Sequence, residues 1–214
     1  MNDKTIIEAQ NPLLQQALVS GSAVFNMDCI EFMKQVPDKF FHLAIVDPPY
    51  GIGAGSVSFK SGTRVRPSKF HKQNDWDTSI PAPEYWEQLF RVSKNQIVWG
   101  GNYMTEFLPP SRCWIFWDKG TGDNSYADGE LAWTSFDKVV KKFSKFWSGA
   151  NAKEKFDIDR IHPTQKPIQL YEWIIKEFMS EGNLILDTHL GSGSSRIAAH
   201  KAGKIFVGTE IDKD

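Results

Sequence analysis

Cysteine is nearly missing from this chain, which carries only Cys29 and Cys113 among its 214 residues. The two lie far apart and without metal-ligand spacing, so they read as free thiols in a reducing compartment rather than as a disulfide framework. An excess of either charge is missing too: 25 basic side chains face 26 acidic ones, for a formal net charge of -1. A molecule-wide positive field is therefore excluded, and a nucleic-acid partner would have to be gripped by a local patch. No apolar run approaches the ~20 residues of a membrane helix. The opening MNDKTIIEAQ has no apolar signal core, so a cytoplasmic protein that does not enter a membrane is expected. Internal repeats and low-complexity tracts are lacking. The five histidines are scattered, so no metal site is expected, and His162, in a proline-bounded turn, reads as structural.

What is present suits a single domain over residues 1–214: 41% hydrophobic and 24% charged residues are enough for a sizeable core. Short apolar runs alternate with helical patterns, which predicts a mostly parallel α/β sheet covered by helices. Strands are expected at AVFNM (23–27), LAIV (43–46), NQIVWG (95–100), CWIFW (113–117), LIL (184–186) and KIFVGTEI (204–211). Helices are expected after Asp28, over EYWEQLFRVS (84–93), after Pro167 and over SSRIAAHKA (194–202). Pro167 suits a first helical turn, Ile168, Tyr171, Ile174, Ile175, Phe178 and Met179 continue an apolar stripe, and Gly182 is expected to cap that helix. Residues 51–83 read as a long loop insertion, more often functional than idle. Residues 119–160 are expected to hold a small recognition element. Within them, Lys138 to Trp147 interleaves four lysines with aromatics, as a strand or ribbon.

Asp28, Asp47, Asp118, Asp187 and Glu210 each end a predicted strand. In an open parallel sheet such acids share one rim, where ligands bind. Helix capping accounts for two or three of them. Two carry further signals. Asp187 opens DTHLGSGSS, where Gly191 and Gly193 permit a tight turn into a helix start and Ser192 lies between them. Glu210 ends the next strand, where an acid can bind a ribose diol. The third glycine of a dinucleotide site is missing, so an adenosine ligand without a pyrophosphate fits better. The other signal is Asp47-Pro48-Pro49-Tyr50. Prolines fix φ, lack an amide hydrogen and push the preceding residue to extended backbone. The result is a stiff corner with a carboxylate, a bare carbonyl and a ring, suited to a planar group bearing an NH2.

These residues together resemble the amino-group DNA methyltransferases that use S-adenosylmethionine. DPPY matches their catalytic motif in its adenine form, LDTHLGSGS is similar to their cofactor loop, and RIHPTQKP (160–167) looks like the segment preceding that loop in an order-permuted subgroup. The resemblance implies a Rossmann-like methyltransferase fold with helices on both faces of the sheet and circularly permuted motif order. It implies Asp47, Pro48, Pro49 and Tyr50 as the catalytic set that binds the amine and stacks the base. Asp187, Gly191, Ser192 and Gly193 would line the methionine part of the cofactor, Glu210 would take the ribose, and Thr164 and Lys166 would approach the methionine carboxylate. Asp28, with Cys29, would meet the cofactor's adenine.

The reaction implied is methylation of a flipped-out adenine in double-stranded DNA, as in restriction-modification. Methylation of a cytosine amine is the near alternative, and a cofactor- and DNA-binding module without turnover a further one. Backbone contacts are expected from FKSGTRVRPSKFHK (59–72), through Lys60, Arg64, Arg66, Lys69 and Lys72. A second copy of the chain is an open option as a partner. Two departures stand out. Thr188 and His189 replace the family's usual Pro-Phe, and the family normally runs on into another helix past the ribose-binding acid.

Overall fold

The computed structural model of the chain describes residues 11–53, 77–121, 127–147 and 165–212. Helix α1 (Pro12–Ser20) starts where the Asn11 side chain accepts the Leu13 amide and stops at Gly21, whose φ is 76°. Strand β1 (Ser22–Asn26) leads to Asp28, whose carboxylate accepts the amides of Ile30 and Glu31 and so begins α2 (Cys29–Lys34). Strand β2 (Phe41–Val46) runs straight into the prolines. Helix α3 (Pro83–Val92) has proline in its first turn and buries Tyr85, Trp86, Leu89 and Val92. Strands β3 (Ser93–Trp99), β4 (Trp114–Asp118), β5 (Gly129–Thr134) and β6 (Lys141–Ser144) follow. Helix α4 (Ile168–Phe178), β7 (Leu184–Asp187), α5 (Ser194–Lys201) and β8 (Ile205–Glu210) complete the described chain. None of these helices is long and apolar enough to cross a membrane.

The strands form one sheet in the order β1-β8-β7-β2-β3-β5-β4-β6. β5 pairs antiparallel with both β3 and β4, and every other pairing is parallel. Seven strands therefore deliver their carboxyl ends to one edge. β2 shows why the sheet sits in the middle of the molecule. Ala44 and Val46 pack into a cluster with Phe32, Trp86 and Leu89, whereas Leu43 and Ile45 pack into another with Leu170, Ile174 and Ala198. Alternate side chains thus bury against α2 and α3 on one face and α4 and α5 on the other. This is the Rossmann-like arrangement, with helices on both faces.

The structure adds one strand to the sequence expectations and corrects one helix cap. Strand β5 falls just past a polar, turn-rich stretch and was not foreseen. With β6 it brings the described part of 119–160 into the main sheet; residues 122–126 and 148–160 lie outside the described chain, as do 54–76 of the loop insertion. Gly182 does not cap α4. That helix ends with Met179 as its cap, and Gly182 stands further on with a φ of 79°. An added Cβ there would lie 2.1 Å from Cδ2 of His42, so this glycine is needed for close approach as well as for its backbone.

Gly182→Ala should therefore lower stability by about 1–3 kcal/mol in chemical denaturation. Gly21→Ala, equally left-handed but facing open space, should cost clearly less. Equal losses would show that the His42 contact is unimportant.

Candidate active site

The carboxyl edge of the sheet brings the predicted acids together. Asp187 ends β7, which lies between β8 with Glu210 and β2 with Asp47. Glu210 and Asp47 are thus two strand spacings apart, about 10 Å. Their charges meet at one point: Asp47, Glu210 and Asp28 all act on the His189 imidazole. Asp118 sits beyond β5 on the same edge, with its carboxylate holding the Gly120 amide at 2.9 Å and the Lys142 ammonium at 2.8 Å. Its work there is structural.

The glycine loop is held from within. Asp187 is buried and accepts the His189 amide at 3.0 Å on one oxygen and the Ser195 hydroxyl at 2.5 Å on the other. It therefore spans the loop and clamps its two ends. Burial, countered by these hydrogen bonds and assisted by Asp47 and Glu210, pushes its carboxyl up to about 7. Gly191 and Gly193 have φ of 49° and 71°, and a Cβ added at Gly193 would point into open space. The Gly191 amide donates to Glu210 Oε2 at 2.9 Å, so the loop after β7 touches the acid that ends β8. Ser192 pairs with the Ser194 hydroxyl at 3.0 Å.

Asp28 spends one oxygen on capping α2, with Ile30 at 2.8 Å and Glu31 at 3.0 Å. Burial, then the Asp28 charge, pushes the neighbouring Cys29 thiol up to about 12, so it is no nucleophile. Thr188 is buried where the motif family has proline, and its hydroxyl joins Tyr85 at 2.7 Å to His189 Nδ1 at 2.9 Å. A polar chain replaces an apolar contact.

The corner after β2 is trans throughout. Tyr50 donates its hydroxyl to Asp47 Oδ1 at 2.6 Å. Burial first, then the Asp47 charge, holds this phenol well above its ordinary value, so it stays a donor. The ring stacks on Tyr103 with centroids 5.3 Å apart, and an added Cβ on Gly100 would come within 2.2 Å of it. Among the described residues no donor reaches the Pro48 carbonyl.

Three contributors escaped the sequence reading. Asp77 is buried and accepts the Tyr50 and Gly51 amides at 2.6 and 2.9 Å. Gly100 makes room for the Tyr50 ring. Glu130, near the start of β5, lies by Lys166. Lys166 has partners that the sequence does not show: its ammonium bonds Asp47 Oδ2 and pairs with Glu130 Oε2 at 3.2 Å. Thr164, the basic residues Lys60, Arg64, Arg66, Lys69 and Lys72, and His162 lie outside the described chain. The lysines of the β6 run are engaged within the protein, Lys138 with the Glu177 carbonyl, Lys141 with the Glu177 carboxylate and Lys142 with Asp118. Among the described residues no cluster of His, Cys, Asp or Glu is placed to hold a metal ion.

Known proteins resemble this arrangement. Residues 98–214, more than half of the chain, match the DNA methylase family model of N6/N4 methyltransferases. The Type II methyltransferase M1.MboII of Moraxella bovis is 25% identical over 89% of this chain and 92% of its own. Among solved structures, the M1.HpyAVI–SAM complex superposes with a TM-score of 0.54 at 17% identity, covering 90% of this chain and 94% of the other. The cytosine-N4-specific PvuII DNA methyltransferase superposes with a TM-score of 0.53 at 12% identity, covering 89% and 82%.

The loop carries a pH signature. Burial holds the His189 imidazole down at about 4, against an ordinary 6.5, despite the upward pull of Glu210, Asp47 and Asp28. A group depressed on folding stabilises the fold above its unfolded value and loses that contribution as pH falls through the folded one. Compared with His189→Phe, the wild type should therefore lose about 3 kcal/mol between pH 6.5 and 4. Denaturant titrations at each pH measure the gap; a constant gap would mean that His189 is not buried neutral.

Proposed function

Because the chain belongs to the N6/N4 DNA methylase family, we propose that it methylates the exocyclic amine of adenine in double-stranded DNA, with the target base flipped out. It is a DNA amino-methyltransferase with S-adenosylmethionine as cofactor. The residues present suit that cofactor. A carboxylate at Glu210 stands beside the Gly191 amide, open space faces Gly193, and the charges of Glu210, Asp47 and Asp28 act on His189 in the same loop. Glu210 would hold the ribose hydroxyls, Asp28 and Cys29 the adenine, and the loop from Asp187 through Ser192 the methionine part. When bound, the cofactor supplies an electrophilic methyl group on a sulfonium.

The chain's own residues supply the rest. An exocyclic amine is a poor nucleophile because its lone pair is delocalised into the ring. Asp47 and the Pro48 carbonyl would accept its hydrogens, which localises electron density on the nitrogen and stabilises the charge that develops there. Tyr50, fixed by Asp47 and by the Asp77 contact to its amide, would stack on the base. Pro48 and Pro49 keep the acceptors from rotating away, so alignment is set before substrate arrives. Extruding the base costs a few kcal/mol. The basic stretch 59–72 would repay this through phosphate contacts. No covalent intermediate is needed, in keeping with a Cys29 thiol pushed far from ionisation.

The observation that supports this reading best is the position of Asp47 on the strand next to the glycine loop, with Tyr50 bonded to it. Asp rather than Ser before Pro-Pro-Tyr favours adenine.

Labelled methyl groups should pass from S-adenosylmethionine to duplex DNA, and digestion should release N6-methyldeoxyadenosine. Labelled N4-methyldeoxycytidine would transfer the reading to cytosine, and unlabelled DNA would overturn it. Asp47→Ala should lower transfer by at least about 10²-fold with cofactor affinity close to normal. Loss of both would point to a folding defect rather than to the amine site. Neutralising Arg64, Arg66 and Lys69 should weaken DNA binding and flatten its salt dependence. An unchanged slope would remove that stretch from the contact surface.

A further inference from the structure

The geometry points to Lys166 and Glu130 as a positioning pair for Asp47, a role that rests on the methyl-transfer reading above. Lys166 comes from the turn before α4, and Glu130 from the second position of β5. β5 is the antiparallel strand, so its beginning, not its end, lies at the active edge. That reversal carries an acid to the rim at a point no parallel strand could supply.

Lys166 lies beneath the catalytic acid, and Glu130, whose side chain is 24% exposed, lies beside it. Only 4% of the Lys166 side chain is exposed, against 18% for Asp47. Its ammonium lies 5.3 Å from the centroid of the buried Trp99 ring and 6.0 Å from that of Tyr50. From there it bonds Asp47 Oδ2, while the Tyr50 hydroxyl takes Oδ1. Each carboxylate oxygen is thus gripped once, and the plane of the carboxylate is fixed. Each oxygen keeps a second lone pair, which a substrate amine can use.

An isolated ammonium here would shed its proton or swing out to water. Burial pulls Lys166 down, but Asp47 and Glu130 outweigh it and hold the side chain above its ordinary value. Burial likewise raises Glu130, and Lys166 with Lys119 outweighs that, so its carboxyl stays below the usual range. Glu130 Oε1 binds Lys119 at 2.6 Å, and Oε2 faces Lys166 off hydrogen-bond alignment. Glu130 therefore keeps Lys166 charged and seated without removing it from Asp47. A positive charge held solely by Asp47 would cancel the negative charge needed opposite the methylated amine. With Glu130 as a second partner, the Lys166 charge is not spent on Asp47 alone.

The test is single-turnover methyl transfer to DNA, with cofactor affinity measured separately by calorimetry and stability by melting. Glu130→Gln should fold, bind cofactor as the wild type does and transfer about 10-fold more slowly. Lys166→Met should be slower by about 10²-fold. The double variant, which leaves Asp47 without buried rivals, should be no slower than Lys166→Met, because the two act as one unit. Wild-type speed in Glu130→Gln would overturn the pairing. So would losses that multiply in the double variant. A fall in cofactor affinity matching the fall in rate for Lys166→Met would assign that lysine to the cofactor instead. If Lys166→Met does not fold, Glu130→Gln and the double variant decide the matter. Wild-type protein that leaves DNA unmethylated would remove the functional reading itself, a result separate from any ratio between variants.

Discussion

A single buried ammonium ties this molecule together at the point where it would act. Lys166 and Asp47 are 119 residues apart in the chain, and Glu130 comes from a third region. Removing such charges from water costs several kcal/mol per ion, and a lone contact seldom repays it. Here the cost is spread over two carboxylates, a second ammonium at Lys119 and the Tyr50 hydroxyl. Lys166 is the most deeply buried of these groups, so it depends most on its partners. The turn before α4, the prolines after β2 and the start of β5 are therefore locked in register by charge as well as by apolar packing.

The glycine loop follows a different logic. Asp187, Thr188, His189 and Ser195 satisfy one another, so the backbone is shaped before any ligand comes. Replacing the family's Pro-Phe by Thr-His exchanges proline stiffness for a hydrogen-bonded chain that runs back to Tyr85 on α3. The same end is reached, a fixed loop beside Asp47, by polar means that depend on protonation. Tyr50 shows the corresponding strategy at the corner, where its hydroxyl, amide and ring are each held by a different neighbour.

Most of the architecture was legible in the sequence because its signals are local. Continuous apolar runs such as Leu43 to Val46 mark strands buried on both faces, and Asp28 marks a helix start. The strand-terminal acids fell on one edge because nearly all strands are parallel. What stayed hidden depends on distant partners. β5 begins with Gly-Glu after a polar stretch, and nothing in it tells a reader that it runs backwards between β3 and β4. Its reversed direction is what puts Glu130 beside Lys166. Asp77 looks like any loop acid until the Tyr50 and Gly51 amides are found on it. Gly182 carried a cap-like spacing, yet its reason to be glycine is the ring of His42. The motif resemblance pointed Lys166 towards the cofactor, whereas its spatial neighbours are acids from strands whose order no spacing reveals.

Asp77 also bears on how such a scaffold could diversify. Its carboxylate takes the amides of Tyr50 and Gly51, and its carbonyl takes the amide of Gly53 at 2.9 Å. The excursion between these residues thus leaves and rejoins the body at one staple. Lengthening a closed segment adds only a slowly growing entropy penalty. A change in length between Gly53 and Asp77 would therefore leave the Tyr50 corner held by the same contacts.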